Sequence, residues 1–190
     1  MTIQDGALKT GQERWLRTYY FLRAAVSVIW VGAVFTLAAH APVIAAVLLV
    51  AYPAWDALAN GIDASRTGGL GRNPTQMINL LVSGATALAV GFALTRGMNW
   101  VLGVFGAWAI LSGLLQLATA IRRWKSAGAQ WAMVLSGAQS ALAGAFFILQ
   151  AKGPSPSPLM TVGGYAAVGA VYFLVSAVWL SVKLARRKGA

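Results

Sequence analysis

Six long apolar runs constrain this chain more than any other feature of its sequence. The runs are residues 16–39, 42–60, 76–95, 98–121, 130–151 and 159–184. Each has about 20 residues or more, enough to cross about 30 Å of hydrocarbon as a helix. Hydrophobic residues make up 58% of the chain and charged residues only 10%, whereas a soluble domain carries about 25% charge. We therefore predict an all-α, polytopic membrane bundle of six transmembrane helices.

The basic residues predict the orientation of these helices. If the N-terminus is cytoplasmic, 13 of the 15 lysines and arginines lie on the cytoplasmic side, and only Arg96 and Lys152 lie outside. This asymmetry follows the positive-inside rule for short loops. Because six spans bring the chain back to its starting side, both termini are expected in the cytoplasm. The predicted location is a bacterial inner membrane.

Short connections between the runs predict antiparallel neighbours, arranged as three tandem helical hairpins at about residues 16–66, 76–123 and 130–187. A weak repeat of about 57 residues supports this arrangement, with Gly32, Gly91 and Gly144 late in the first helix of each pair. The predicted organisation is a cytoplasmic N-terminal tail (1–15), one six-helix transmembrane domain (16–185) and a basic cytoplasmic tail (186–190).

The inventory of reactive side chains is small. The chain has no cysteine, one histidine and four acidic residues, which excludes disulfides and thiolate chemistry and disfavours metal sites and paired-carboxylate catalysis. We therefore expect no catalytic residue, no metal and no cofactor, and a protein that is not an enzyme. The net charge of +11 is explained by topology, so nucleic acid is not an expected partner.

Two ionisable residues, Arg23 and Asp56, fall inside the predicted spans, where a charge is costly and marks a candidate functional site. Each lies about four residues from the cytoplasmic edge of its helix, counted from the aromatic edge for Arg23. Antiparallel neighbours would bring them to the same depth, so we predict an Arg23–Asp56 ion pair. Asn79 and Gln116 reach a similar level. Together these four residues predict an intramembrane polar layer on the cytoplasmic side.

This layer has two interpretations. Polar groups between membrane helices often only hold the helices in register. Alternatively, they line a cytoplasm-facing vestibule for an ion, a proton or a small polar solute. The outer halves of the spans are almost wholly apolar, which argues against a pump or an open pore.

Four further features carry narrower expectations. His40, in the first outer loop, is a weak candidate for an external pH sensor. Asn73, Pro74 and Gln76 predict a helix N-terminus with a capping box. Basic cytoplasmic loops are expected to contact anionic lipid headgroups. Small residues at four-residue spacing, such as Ser136, Ser140 and Gly144, allow close helix packing and homo-oligomers.

The two-helix repeat, the six spans, the length and the placement of glycine resemble the HdeD-like membrane proteins, over most of residues 16–185. That family is named for an acid-resistance protein and is built from a short repeat of unknown function. The resemblance implies a non-enzymatic membrane protein with a role in acid or other envelope stress. The alternative is a small transporter or channel that uses the polar layer around Arg23 and Asp56. The segment from Tyr52 to Asn60 departs from the family's founding member.

Overall fold

A computed structural model describes residues 3–38, 41–125, 130–154 and 158–187, with side chains from Thr10 onward. The described residues form six long helices and one short 3-10 turn at Leu70–Arg72. The helices are α1 (Ile3–Thr36), α2 (Pro42–Arg66), α3 (Pro74–Ala93), α4 (Met98–Arg123), α5 (Gln130–Gln150) and α6 (Pro158–Arg186).

All six helices are long and apolar enough to cross a membrane, which confirms the predicted all-α bundle of six spans. Proline stands at the start of α2, α3 and α6, where its missing N–H costs no helix hydrogen bond. Three spans extend beyond the apolar runs. The helix α1 begins at Ile3 instead of residue 16, and α2 and α4 continue to Arg66 and Arg123.

The helices form a closed ring in chain order. The most extensive contacts join α4 to α5, α1 to α6 and α2 to α3, followed by α3 to α4. By contrast, only sparse contacts join α1 to α2 and α5 to α6. The predicted hairpins are therefore connected units along the chain, but the closest packing lies mostly between one hairpin and the next.

Glycines permit the close approach of α4 and α5. A Cβ added at Gly113 would lie 2.5 Å from the carbonyl oxygen of Gly137, and one at Gly144 would lie 2.5 Å from that of Gly106. Such contacts leave no room for a larger residue, as expected for small-residue packing in membranes. Gly91 shows the opposite case, because nothing lies within 4 Å of its added Cβ.

The internal repeat has a register that differs from the glycine spacing. Arg23 bonds to Asp56 and Asn79 bonds to Ser112, each pair 33 residues apart. Ser83 bonds to Trp108 and Ser140 to Tyr165, each pair 25 residues apart. Equivalent positions therefore follow one another after 56 and then 57 residues, as in Ser27, Ser83 and Ser140. Gly32, Gly91 and Gly144 do not share this register.

The apolar core occupies one half of the bundle. Its fully buried members include equivalent residues of the repeat, namely Leu49, Phe105 and Val162. The other half holds the polar side chains, and it ends where Glu13, Arg66 and Arg123 lie; we call this the termini end. Large apolar side chains cover the outer surface, such as Leu88 (80% exposed) and Val43 (75% exposed). This surface suits a lipid bilayer.

Candidate functional site

Asp56 is the centre of the polar half. Its Oδ1 accepts a hydrogen bond from Arg23 on α1 at 2.5 Å, so the predicted ion pair is present. Its Oδ2 accepts three more hydrogen bonds, from Asn60 at 3.1 Å, Asn79 at 3.1 Å and Ser83 at 2.8 Å. We call these five residues the Asp56 cluster. Four donors satisfy the carboxylate, which lets its charge stay buried.

The Asp56 cluster also reaches α4. The Ser83 hydroxyl accepts a hydrogen bond from Trp108 Nε1 at 2.9 Å, and Ser112 donates to Asn79 Oδ1 at 3.1 Å. Asn79 thus occupies the position in the second hairpin that Arg23 occupies in the first. The network joins four consecutive helices at one depth.

A second buried carboxylate, Asp63, lies two helical turns nearer the termini end, about 10 Å along α2. It pairs with Arg123 at 2.9 Å and accepts hydrogen bonds from Trp15 Nε1 at 3.0 Å and Gln76 Nε2 at 3.2 Å. We call these four residues the Asp63 cluster. The apolar runs end at residues 60 and 121 and so leave both charges outside the predicted spans. These ends are wrong, because Asp63 and Arg123 are buried within α2 and α4, where the two charges neutralise each other.

The predicted capping box at the start of α3 is also not formed. Asn73 is the N-cap residue, but no side chain caps the helix end. The Gln76 side chain instead donates to Asp63 and accepts from Arg122. A capping box would use the Gln76 Oε1 to accept from the Asn73 N–H, but this oxygen accepts from the charged Arg122 guanidinium, which is a stronger donor than a neutral backbone amide.

Glu13 forms a third buried ionic cluster at the termini end. Its side chain is fully buried and accepts hydrogen bonds from Lys183 at 2.7 Å and Arg187 at 2.8 Å. These contacts connect α1 to α6 and close the ring. Sequence reasoning assigned Glu13 to the N-terminal tail and gave it no partner.

One aromatic residue from each hairpin meets its equivalents on the axis of the bundle. The ring centroids of Tyr52 and Trp108 are 5.7 Å apart, and those of Trp108 and Tyr165 are 6.3 Å apart. We call these three residues the aromatic trio. The apolar core packs directly behind them, with Phe105 on Trp108 and Phe147 on Tyr165, each at 5.8 Å. The trio therefore separates the polar half from the apolar half.

A cavity of about 110 Å³ lies between the aromatic trio and the Asp63 cluster. All six helices contribute to its lining, and the four residues of the predicted polar layer, Arg23, Asp56, Asn79 and Gln116, all line it. The apolar core closes it on one side. At the termini end its lining is buried, as Asp63, Gln76 and Arg123 show. We call this space the polar cavity.

Several polar groups of the cavity lining have no protein partner among the described residues. Arg23 Nε and Trp55 Nε1 are buried donors without an acceptor. Gln116 also lines the cavity and makes no side-chain hydrogen bond within the described part of the chain. Buried donors normally find partners, so these groups point to a bound molecule or ordered water.

The remaining sequence predictions have different outcomes. His40 lies outside the described residues. Within the ranges that the structure describes, no group of three His, Cys, Asp or Glu side chains could hold a metal ion. The aromatic trio and the two inner carboxylate clusters carry most of the site, and the sequence indicated only one of the two carboxylates. Comparing the three hairpins at the 56–57-residue spacing would have revealed the trio.

The fold and the buried clusters define an integral, multi-pass membrane protein whose outer surface contacts the lipid bilayer. A comparison of the chain with protein-family models, with curated proteins and with solved structures finds no match.

Proposed function

We propose that this chain is a non-enzymatic protein of a bacterial inner membrane that binds a small polar molecule in the polar cavity and acts as a small transporter. The observation that carries the proposal is the cavity itself. Its lining includes Arg23, Asp56, Asn79 and Gln116, and it offers the unpaired donors Arg23 Nε and Trp55 Nε1. A site that merely holds helices together would use up its donors.

The closure of the cavity favours a carrier over a channel. Behind the aromatic trio the core is apolar, with Leu49, Phe105 and Val162 fully buried. No polar path is visible there among the described residues. A solute bound in the cavity would need the helices to move before it could leave on that side, which is the behaviour of alternating access.

The hydrogen bonds that the two inner carboxylates already accept support a function other than catalysis. Asp56 and Asp63 accept four and three hydrogen bonds from protein groups. A carboxylate saturated in this way is poorly placed to serve as a general base.

Ligand binding can be tested by thermal unfolding of the purified protein with a panel of small polar and amphipathic molecules. A molecule that binds only the folded state at 100 times its Kd stabilises it by about 2.7 kcal/mol. We expect at least one class of these molecules to raise the Tm of the wild type. The same molecules should raise the Tm of Gln116→Leu much less. Leu114→Val, at an exposed site on the same helix, is the matched control. If no molecule raises the Tm, the binding function is wrong.

The orientation proposal places the termini end in the cytoplasm. Exposed basic residues at this end, including Arg14, Arg72, Lys125 and Arg186, support it and would contact anionic lipid headgroups. Fusions of green fluorescent protein after Ala190 should fluoresce, and alkaline phosphatase inserted at Gly97 should be active. The reverse pattern would contradict the orientation. Homo-oligomer formation remains a prediction from the small-residue stripes.

The resemblance to HdeD-like proteins supports a second proposal, a role in acid or other envelope stress. The repeated contacts of equivalent residues in successive hairpins favour it, because that family is built from a short repeat. A deletion strain grown across external pH and osmolarity tests this role. Growth equal to the parent under every condition would contradict it, whereas rescue by the wild type and by Leu114→Val but not by Gln116→Leu would link the phenotype to the polar cavity.

A further inference from the structure

The polar cavity reaches the molecular surface at the side of the bundle. Among its lining residues, only Gln139 on α5 and Val168 on α6 are exposed. These two helices touch each other only sparsely. Across the gap, the Tyr172 hydroxyl donates to Gln139 Oε1 at 2.8 Å. The cavity therefore opens between α5 and α6, and we call this gap the side opening.

The side opening faces lipid. Gln139 is nine residues into α5, about 14 Å along the helix axis, which is within the hydrocarbon layer of a membrane about 30 Å thick. The neighbouring exposed side chains are apolar, including Leu135, Leu142 and Val171. A molecule that enters by this route must come from the bilayer, so it needs an apolar part.

The charges and hydrogen-bonding groups inside the cavity determine which polar headgroup can bind there. The charges of its lining cancel, because Arg23 pairs with Asp56 and Arg123 with Asp63. The groups without partners, Arg23 Nε and Trp55 Nε1, are both donors. A volume of about 110 Å³ holds roughly four water molecules, at about 30 Å³ for each water in the liquid. These features suit a small headgroup without net charge that accepts hydrogen bonds.

We propose that the ligand is a single-chain amphipath whose uncharged or zwitterionic headgroup occupies the polar cavity and whose tail passes between α5 and α6 into the bilayer. This inference rests on the proposed ligand-binding function and names its substrate class. Gln139 and Val168 form the rim of the side opening. The amide of Gln139 contacts the headgroup where the lining changes from polar to apolar.

The test uses the full chain in phosphatidylcholine nanodiscs with a monoacylglycerol that carries a photoreactive diazirine at the start of its acyl chain. After irradiation, mass spectrometry maps the labelled residues. We expect labelling on α5 and α6 at the side opening, displaced by unlabelled monoacylglycerol and not by free glycerol. In Val168→Trp, which fills the opening, labelling should fall about tenfold, a loss of about 1.4 kcal/mol. Val178→Trp, at an exposed position on the same helix away from the side opening, should label as the wild type does.

The possible results separate this inference from the proposed function. If free glycerol displaces the probe to the same extent as unlabelled monoacylglycerol, the cavity does not recognise the tail. The proposed amphipathic ligand is then wrong, while the proposed binding of a small polar solute stands. If Val168→Trp labels as strongly as Val178→Trp, the route between α5 and α6 is wrong. Light scattering compares the oligomeric state of Val168→Trp with that of the wild type. If the wild type is an oligomer and the variant a monomer, a second copy covers the opening and the inference fails. Tm values near that of the wild type verify that both variants fold.

Discussion

Arg23 and Asp56 form an ion pair between α1 and α2, two consecutive helices that otherwise touch only sparsely. The guanidinium also lies over the ring of Phe173 on α6, 4.5 Å from its centroid. One side chain thus connects both neighbours of α1 in the ring. At this depth a charge pair joins the two helices of the first hairpin.

Replacing Asp56 by asparagine should destabilise the protein strongly. The substitution would leave the charge of Arg23 buried without a counter-ion and would present an amide to the donors of Asn79 and Ser83. Removing one partner of a buried pair costs about 3–5 kcal/mol. Unfolding of the purified protein in sodium dodecyl sulfate measures this cost. The double variant Arg23→Met, Asp56→Leu should lose less than the two single changes added together; an unchanged yield and stability of Asp56→Asn would show that the pair is unimportant.

Equivalent serines of the repeat should differ in their contribution to stability. Ser83 donates to Asp56 and accepts from Trp108, so Ser83→Ala leaves a buried indole N–H without a partner and should cost about 1–3 kcal/mol. Ser27 is equally buried but makes no side-chain hydrogen bond among the described residues. Ser27→Ala should therefore stay within about 0.5 kcal/mol of the wild type. Thermal unfolding in detergent compares them, and equal losses would contradict the assigned contacts.

The glycines of the bundle should divide into two groups. Gly113→Ala forces a methyl group against the Gly137 carbonyl oxygen, 2.5 Å away, and should cost about 1–3 kcal/mol through separation of α4 and α5. Gly91→Ala meets nothing within 4 Å and should be neutral or stabilising by about 0.5–1 kcal/mol, because alanine favours helix. Chemical unfolding of both variants gives the comparison. A stable Gly113→Ala would mean that the two helices are farther apart.

Glu13→Ala should lower the Tm even though Glu13 lies far from the cavity. Lys183 and Arg187 are 32% and 43% exposed, so both can turn to water and the loss is limited to about 1–2 kcal/mol. Arg14→Ala, an exposed change on the same turn of α1, is the control and should leave the Tm unchanged. Equal Tm values for both variants would show that Glu13 does not hold α1 to α6.

The helices follow from the sequence because length and hydropathy decide whether a segment can span a membrane. Pro42, Pro74 and Pro158 place three of the helix starts to within two residues. The ends are less predictable. Charged residues mark the end of an apolar run, but Asp63 and Arg123 neutralise each other inside the bundle, so α2 continues past Asp63 to Arg66 and α4 includes Arg123 as its last residue.

The site was only partly predictable for the same reason. Arg23 and Asp56 interrupt apolar runs and could be found one by one. The aromatic trio could not be found one residue at a time, because Tyr52, Trp108 and Tyr165 are ordinary membrane residues until the three hairpins are compared at the 56–57-residue spacing. Which helices pack closely also depends on Gly106, Gly113, Gly137 and Gly144 acting together, and spacing within one helix does not show its partner.

The contact of Glu13 with Lys183 and Arg187 has a consequence for biosynthesis. The ribosome makes the partners of this carboxylate about 170 residues after the carboxylate itself, so α1 must enter the membrane with its acidic group uncompensated. Only when α6 arrives can that group be neutralised. A chain interrupted before α6 therefore carries an acidic residue at the membrane boundary without the two cations that neutralise it in the folded protein.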